Sequence, residues 1–525
     1  MVILGIGGIQ NDSAAAVVQD GQLVTAAEQK KLARYTQPGA LPLAAVDVCL
    51  QAARLERKQI GHVVVARPWS SNRDVSLQLE LRELFPDAHV VLLDHHAAHA
   101  ASAFFAAPFE EGTVLTLDRQ GDLRCGARWQ GHGRHLTLER EVYFPDSLGD
   151  LYSRVTALLG YAPNSDEHKV QWLSTAGDDR FVALFEEILG VAATGWPRQD
   201  HSYFDQRRAT NGRFAPKFYR ALEIADTAEV PASLKAHVAA GVQRAVERAV
   251  LRMAGEGENL ALAGGLALNA LLVRSLETSG RWKNVFVQPA SGNAGTAIGA
   301  ALHGWHITAG QSKRGSFDTL CLGPGFSAEE VKRAIENCKL RFRYLLTDGE
   351  LIDSAVKELN DDKIVAWMQG RMEFGSRALG NRSILASPQN PYSTENLNIY
   401  IKHREPFRKF AASVPAELAH EYFDAGPNTR FLATVGQVRP AHRDKFASAI
   451  LGDGLVRVHS VTEKDNPLYW RLLHAFGKST GLPVLYNTSF NLFGDPLVCT
   501  PRDAVRSFYS SGIDAMFAGS FLLQK

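Results

Sequence analysis

Three histidines follow Asp94 in the order Asp94-His95-His96-Ala97-Ala98-His99. His95 and His99 are four residues apart, so on a helix they share one face with their backbones about 6 Å from each other, which suits two imidazole ligands on one metal ion. The same spacing also serves capped or hydrogen-bonded packing, and two histidines do not complete a site. Asp118, closing the run Leu115-Thr116-Leu117-Asp118, is a candidate oxygen ligand.

A second cluster runs from Gly375-Ser376-Arg377 through Gly380-Asn381-Arg382 to Lys402-His403-Arg404-Glu405 and Arg408. Guanidinium groups bind phosphate with two parallel hydrogen bonds, and glycine turns let backbone amides approach the same anion, so this segment reads as a polyanion site. The competing reading is a solvated basic surface or an RNA patch; the segment has little lysine repetition and few aromatics of the kind that stack bases. Near the C-terminus, Asn487, Ser489 and Asn491 alternate after a strand and therefore share a face. They either fix a nucleotide or a carbamoyl amide, or they are turn chemistry ahead of Pro496.

The elements that must carry these residues alternate between strand and helix. Strand-like runs begin at Val2, Val63, His89, Thr113, Asn259 and Val285, with helical stretches between them such as Pro231 to Gly255, which argues an α/β architecture. Asp20-Gly21 joins two strands as a hairpin. The glycine-rich turn Gly7-Gly8 ahead of Asn11-Asp12-Ser13 is either an ordinary turn or the start of an actin-like or sugar-kinase-like ATPase fold. Gly264-Gly265 and Gly292-Asn293-Ala294-Gly295 each introduce a helix whose free N–H groups could face an anion. No internal repeat is visible. The polar stretch from Ala309 to Ser316, with Leu322-Gly323-Pro324-Gly325 soon after it, marks the best boundary candidate, and units of 1–340 and 341–525 are expected.

Composition excludes several classes. The chain has 525 residues, 45% hydrophobic and 22% charged, with a net charge of +1, so it lacks the global field that would hold nucleic acid or an anionic membrane. No apolar run approaches the roughly 20 residues of a membrane span, and a cytoplasmic protein is expected. Five dispersed cysteines without a CxxC pair indicate neither a disulfide framework nor a zinc-thiolate site.

Taken in order, "HHAAHAASAF", "LALAGGLALNALL", "GRMEFGSRALGNRSILASP", "IKHREPFRKFAASV" and "LYNTSFNLFGDPLVCTPRDAV" resemble the carbamoyltransferase family of the NodU and CmcH type along essentially the whole chain. The resemblance implies an actin-like (ASKHA) duplicated α/β N-terminal domain with a YrdC-like α/β C-terminal domain that binds ATP and carbamoyl phosphate and makes carbamoyl-adenylate. It implies that Arg377, Arg382, Lys402, Arg404 and Arg408 grip phosphates, with Arg377 and Arg408 in the chemistry and Asn487, Ser489 and Asn491 beside them. It further implies that His95, His99 and Asp118, with residue 293, hold iron or zinc where a small-molecule acceptor is carbamoylated, while Mg2+ accompanies the ATP. A homodimer is left open.

Departures fall in the acceptor half. Asn11 stands where the family has histidine, leaving Asp12 as the candidate general base; Asn293 replaces an aspartate, and a neutral amide binds a divalent cation more weakly than a carboxylate. Arg119 replaces a glycine after Asp118, and the segment from 190 to 235 is a candidate contributor to acceptor choice. Two readings compete with a carbamoyltransferase: a nucleotide-binding regulatory homologue with a weakened metal site, and a sugar-kinase-like phosphotransferase, which leaves the C-terminal third unexplained.

Overall fold

Every residue of the first strand, β1 (Val2–Gly7), is buried, as an uninterrupted apolar run on a central strand requires. It is flanked by β2 (Ala14–Gln19), β3 (Gln22–Glu28), β4 (His62–Ala66) and β5 (His89–Leu93) in the order β3-β2-β1-β4-β5. The pairs β1–β2 and β2–β3 are antiparallel, whereas β1–β4 and β4–β5 are parallel. The β2–β3 hairpin turns at Asp20 (φ 52°) and Gly21 (φ 88°), the pair of positive angles that a two-residue turn of matching twist needs. The structure is a computed structural model and describes residues 1–525 apart from residue 36, residues 67–73, residues 192–194 and residue 493.

The even-numbered residues Val2, Leu4 and Ile6 pack with the helix Leu43–Ala53 through Ala45, Val46, Cys49 and Leu50. Gly5 turns the other way, and a side chain there would lie 2.1 Å from the Ala297 carbonyl. The helix Gly295–His303, nearly 300 residues further along the chain, therefore rests directly on the β1 backbone.

A second sheet repeats this plan. It contains β6 (Glu111–Gly121), β7 (Arg124–His132), β8 (His135–Tyr143), β9 (Gly257–Ala263) and β10 (Trp282–Val287), ordered β10-β9-β6-β7-β8. Again the first three strands are antiparallel neighbours and the last two add in parallel. This is the duplicated α/β arrangement expected of an actin-like chain, although no repeat is visible in the sequence.

The third sheet has ten strands: β11 (Arg343–Tyr344), β12 (Val365–Met368), β13 (Arg382–Ala386), β14 (Ala411–Pro415), β15 (Phe423–Asp424), β16 (Val435–Val438), β17 (Leu455–Val461), β18 (Leu485–Ser489), β19 (Ala515–Ala518) and β20 (Phe521–Gln524). Their order is β11-β20-β19-β12-β13-β18-β14-β17-β16-β15. On β12, Ala366 and Met368 enter one core with the helices Ala328–Asn337 and Pro501–Tyr509. Val365 and Trp367 enter another with Asp348–Asn360 and Pro467–Thr480. Covering both faces explains why the central strands are apolar throughout, each fully buried large side chain contributing about 1.5–3 kcal/mol.

By contacts the chain forms two compact units. One contains Met1–Leu93, Asn293–Ile450 and Gly454–Lys525, hence the first and third sheets; the other contains Asp94–Gly292 with Leu451–Asp453, hence the second. Among the described residues no helix is long and apolar enough to cross a membrane, and all five cysteines are free thiols.

Candidate functional site

In the unit built on the second sheet, Asp94 caps the helix His95–Phe104 by accepting a hydrogen bond from the Ala97 N–H at 3.0 Å. Arg124 donates to the same Asp94 oxygen at 2.6 Å. The first turn is thereby fixed, and it aims His95 and His99 at the end of β6, where Asp118 stands. Asp118 Oδ2 lies 3.0 Å from His95 Nε2 and 3.2 Å from His99 Nε2. All three candidate ligand atoms lie within 4.8 Å of one another.

His96 does different work. Its Nε2 donates to the Arg124 carbonyl at 3.0 Å and its Nδ1 meets the Thr116 hydroxyl at 2.9 Å, so both nitrogens are committed to the fold. His99 is fully buried and its Nδ1 reaches no hydrogen-bond partner among the described residues. Burial alone would raise the Asp118 carboxyl, but the two imidazoles bonded to it outweigh that and hold it well below the usual carboxylate range. A carboxylate held low beside two imidazoles, one of them buried with an idle nitrogen, fits the donor set of a divalent iron or zinc ion with coordination positions to spare.

The other acceptor-side candidates lie in the other unit. Gly8 (φ 64°) stands between their backbones: a side chain there would meet the Asp12 carbonyl at 2.2 Å and the Asn293 carbonyl at 3.1 Å. Its N–H donates to Thr296 Oγ1 at 3.0 Å, and that hydroxyl in turn donates to Asn293 O at 2.6 Å. Asp12 is exposed at this turn.

The basic residues converge in the third sheet. Lys402 is buried, and its ammonium donates to Asn491 Oδ1 at 2.8 Å, to the Asn491 carbonyl at 2.9 Å and to the Ser489 carbonyl. Ser489 Oγ donates to Asn491 Oδ1 at 2.7 Å, closing the knot. Arg404 lies over the Phe410 ring at 5.3 Å and reaches Thr488 Oγ1 at 3.4 Å. Asn487 Nδ2 donates to the Ala378 carbonyl at 3.1 Å and to Ser413 Oγ at 3.2 Å, tying β18 to the loop that carries Arg377; its buried Oδ1 has no partner among the described residues.

Two residues not singled out from the sequence complete the region. Arg457 on β17 pairs in register with Ala411, which pairs with Asn487 on the next strand. Its guanidinium is pushed well below its ordinary value by burial and then by the charges of Arg377, Arg404 and Arg408. Burial, then Arg404 and Arg408, depress Lys402 likewise, while Arg404 falls to about 9 and Arg377 to about 10. Five cations thus crowd together in a buried to half-buried cluster, and Glu405 lies 3.9 Å from Arg408. No sequence signal marks Arg457, because in Leu455-Val456-Arg457-Val458-His459 it alternates with two buried valines as a residue of the opposite, polar face would.

Glu373 is the second. Fully buried, its Oε1 accepts the N–H groups of Leu379 and Asn381 at 2.8 Å and of Arg382 at 3.1 Å, so the Arg377 loop is wound around one carboxylate. Arg382 belongs to the same inner scaffold: it is fully buried and donates to the Gln369 carbonyl at 2.6 Å and the Asn381 carbonyl at 3.0 Å. From outside, Lys31 donates to Gly375 O at 2.6 Å while Glu28 accepts the Gly375 N–H at 3.1 Å. Residue 493 of the motif following β18 lies outside the described residues.

Residues 74–302 match the model of the carbamoyltransferase N-terminus, and residues 356–525 that of the carbamoyltransferase C-terminus. The chain is 31% identical to nodulation protein NolNO of Sinorhizobium fredii over 98% of its own length and 79% of that protein's. It is 34% identical to nodulation protein NolO of Bradyrhizobium diazoefficiens, covering 82% of this chain and 79% of that one. To the 3'-hydroxymethylcephem-O-carbamoyltransferase of Amycolatopsis lactamdurans it is 26% identical over 98% of both chains. With two matched halves and relatives aligned along nearly its entire length, the chain belongs to the carbamoyltransferase family.

Proposed function

We propose that this carbamoyltransferase uses ATP to convert carbamoyl phosphate into carbamoyl-adenylate and transfers the carbamoyl group to a hydroxyl or amine of a small metabolite. The observation that carries the reading is the cluster in which Arg377, Lys402, Arg404, Arg408 and Arg457 repel one another. Cations held together against their own repulsion are relieved by a polyanion, and a triphosphate with carbamoyl phosphate supplies one.

The chemistry balances with these groups. Water releases phosphate from carbamoyl phosphate and leaves carbamate; a carbamate oxygen attacks the α-phosphorus of ATP and expels pyrophosphate. The acceptor then attacks the carbamoyl carbon, AMP leaves, and the acceptor proton passes to a base, for which Asp12 is our candidate. Arg377 and Arg408 neutralise the charge that builds on the phosphate oxygens, Arg404 and Arg457 add to the same field, and Lys402, held by Ser489 and Asn491, offers a fixed ammonium. Arg382 would support the phosphate-binding loop from within, and Asn487 Oδ1 is free to accept from the carbamoyl amide.

We assign the adenylating chemistry to a YrdC-like domain at 341–525 and acceptor binding to an actin-like domain at 1–340. His95, His99 and Asp118 would hold iron or zinc; when bound, such an ion supplies Lewis-acid stabilisation of phosphate or carbamoyl oxygen. The test is exchange of labelled pyrophosphate into ATP by the full chain. Exchange that depends on carbamoyl phosphate supports the reading; folded protein that binds ATP without exchange overturns it in favour of a regulatory nucleotide-binding homologue.

A further inference from the structure

Apart from the metal-ligand triad, the unit built on the second sheet contains a cavity of about 680 Å³, within the roughly 300–1,000 Å³ of small-molecule sites. One wall is the helix Leu148–Leu158, which presents Asp150 and Arg154; the others are the loop containing Tyr161 and the segment containing Thr210 and Arg213. Arg119, one peptide bond from Asp118, lines it too. Ser147 pins this junction, its hydroxyl donating to the Arg119 carbonyl at 2.7 Å and accepting the Asp150 N–H at 3.0 Å.

The charges are unbalanced. Three guanidinium groups, Arg119, Arg154 and Arg213, face one carboxylate, Asp150. That carboxylate is already engaged on both oxygens: Arg119 Nε lies 3.1 Å from Oδ1 and Arg154 Nε 2.7 Å from Oδ2. An ammonium group entering the cavity would therefore find no uncommitted anion, whereas an anion would find the remaining N–H donors of guanidinium groups held in place by Asp150, by Asn164 Oδ1 on Arg119 Nη1 at 2.5 Å and by the Gly212 carbonyl on Arg154 Nη1 at 3.2 Å. Thr210 Oγ1 is buried without a hydrogen-bond partner among the described residues, so a polar ligand would also satisfy an idle group.

We infer that this cavity receives the acceptor and that the acceptor is an anionic, hydroxylated metabolite, bearing a carboxylate or a phosphate that Arg119 and Arg154 hold. The inference rests on the proposed carbamoyl transfer for the identity of the ligand as acceptor, while the anion site itself stands on the cavity alone. Arg119 would be a specificity-determining residue, and Arg213 and Thr210 would complete the grip from the 190–235 segment.

Isothermal titration of the full chain with glucose, glucuronate and glucose 6-phosphate separates the cases, since the three share a ring and differ in the anion. Glucuronate or glucose 6-phosphate should bind in the millimolar range or tighter and glucose at least about tenfold more weakly, with whichever anion binds better assigning carboxylate or phosphate. Arg119→Gln and Arg154→Gln should each weaken anion binding about tenfold while their circular dichroism melts stay cooperative; the surface variant Lys283→Gln should bind as the parent does. Glucose binding as tightly as the anions, anion binding indifferent to both arginine variants, or no binding by either anion would overturn the assignment. Pyrophosphate exchange by the parent chain reports separately on the activation chemistry: anion binding without exchange would leave the site standing and remove its interpretation as an acceptor pocket.

Discussion

Lys402 Nζ lies 2.8 Å from Asn491 Oδ1, joining residues 89 positions apart in a partly buried hydrogen bond. An ammonium has three donors, and Asn491 and Ser489 fix the direction of the group by accepting them. Lys402→Ala should lower carbamoyl-phosphate-dependent pyrophosphate exchange by at least about a hundredfold. Asn491→Ala should fall between it and the parent, mostly through a raised KM; an Asn491→Ala enzyme with parental kinetics would mean that the lysine needs no aiming.

The Glu373 carboxylate closes the Arg377 loop from inside, so its removal strands three buried N–H donors. Glu373→Ala should cost about 2–4 kcal/mol, read as a lower urea midpoint at unchanged slope. Glu373→Gln, which keeps an acceptor oxygen, should recover part of that loss.

At the triad, reconstitution with ferrous iron or zinc followed by elemental analysis should give a metal content that His99→Ala abolishes. His96→Gln should keep its metal, because both nitrogens of His96 are spent on Arg124 and Thr116. Metal retained by His99→Ala and lost by His96→Gln would reverse the assignment of ligands.

His459 is buried in the second core of the third sheet, bonded to Ser413 Oγ at 3.0 Å, and burial pushes it from 6.5 down to about 3. Between those values the unfolded chain takes up a proton that the folded chain refuses. The stability of the neutral form is complete above pH 6.5 and declines as pH falls towards 3, by up to about 1.4 kcal/mol per pH unit. Thermal midpoints measured across this window should fall less steeply for His459→Gln than for the parent.

The sequence alone determined the chemistry on offer: the spacing of His95 and His99, the arginine-rich turns, and the polar alternation of Asn487, Ser489 and Asn491 are local patterns that side-chain type and helix or strand period make readable. The duplication of the sheet plan could not be read that way, because strand order is a matter of pairing between distant segments while the two halves share no residue pattern. Nor could the role of Arg457, which joins the basic cluster only because β17 pairs with β14 beside β18. From the sequence Arg382 reads as one of the phosphate-binding arginines and Glu373 carries no signal, and tertiary structure buries both. A buried charge has to find its partners in the surrounding backbone, and the partners they found are the loop that holds Arg377.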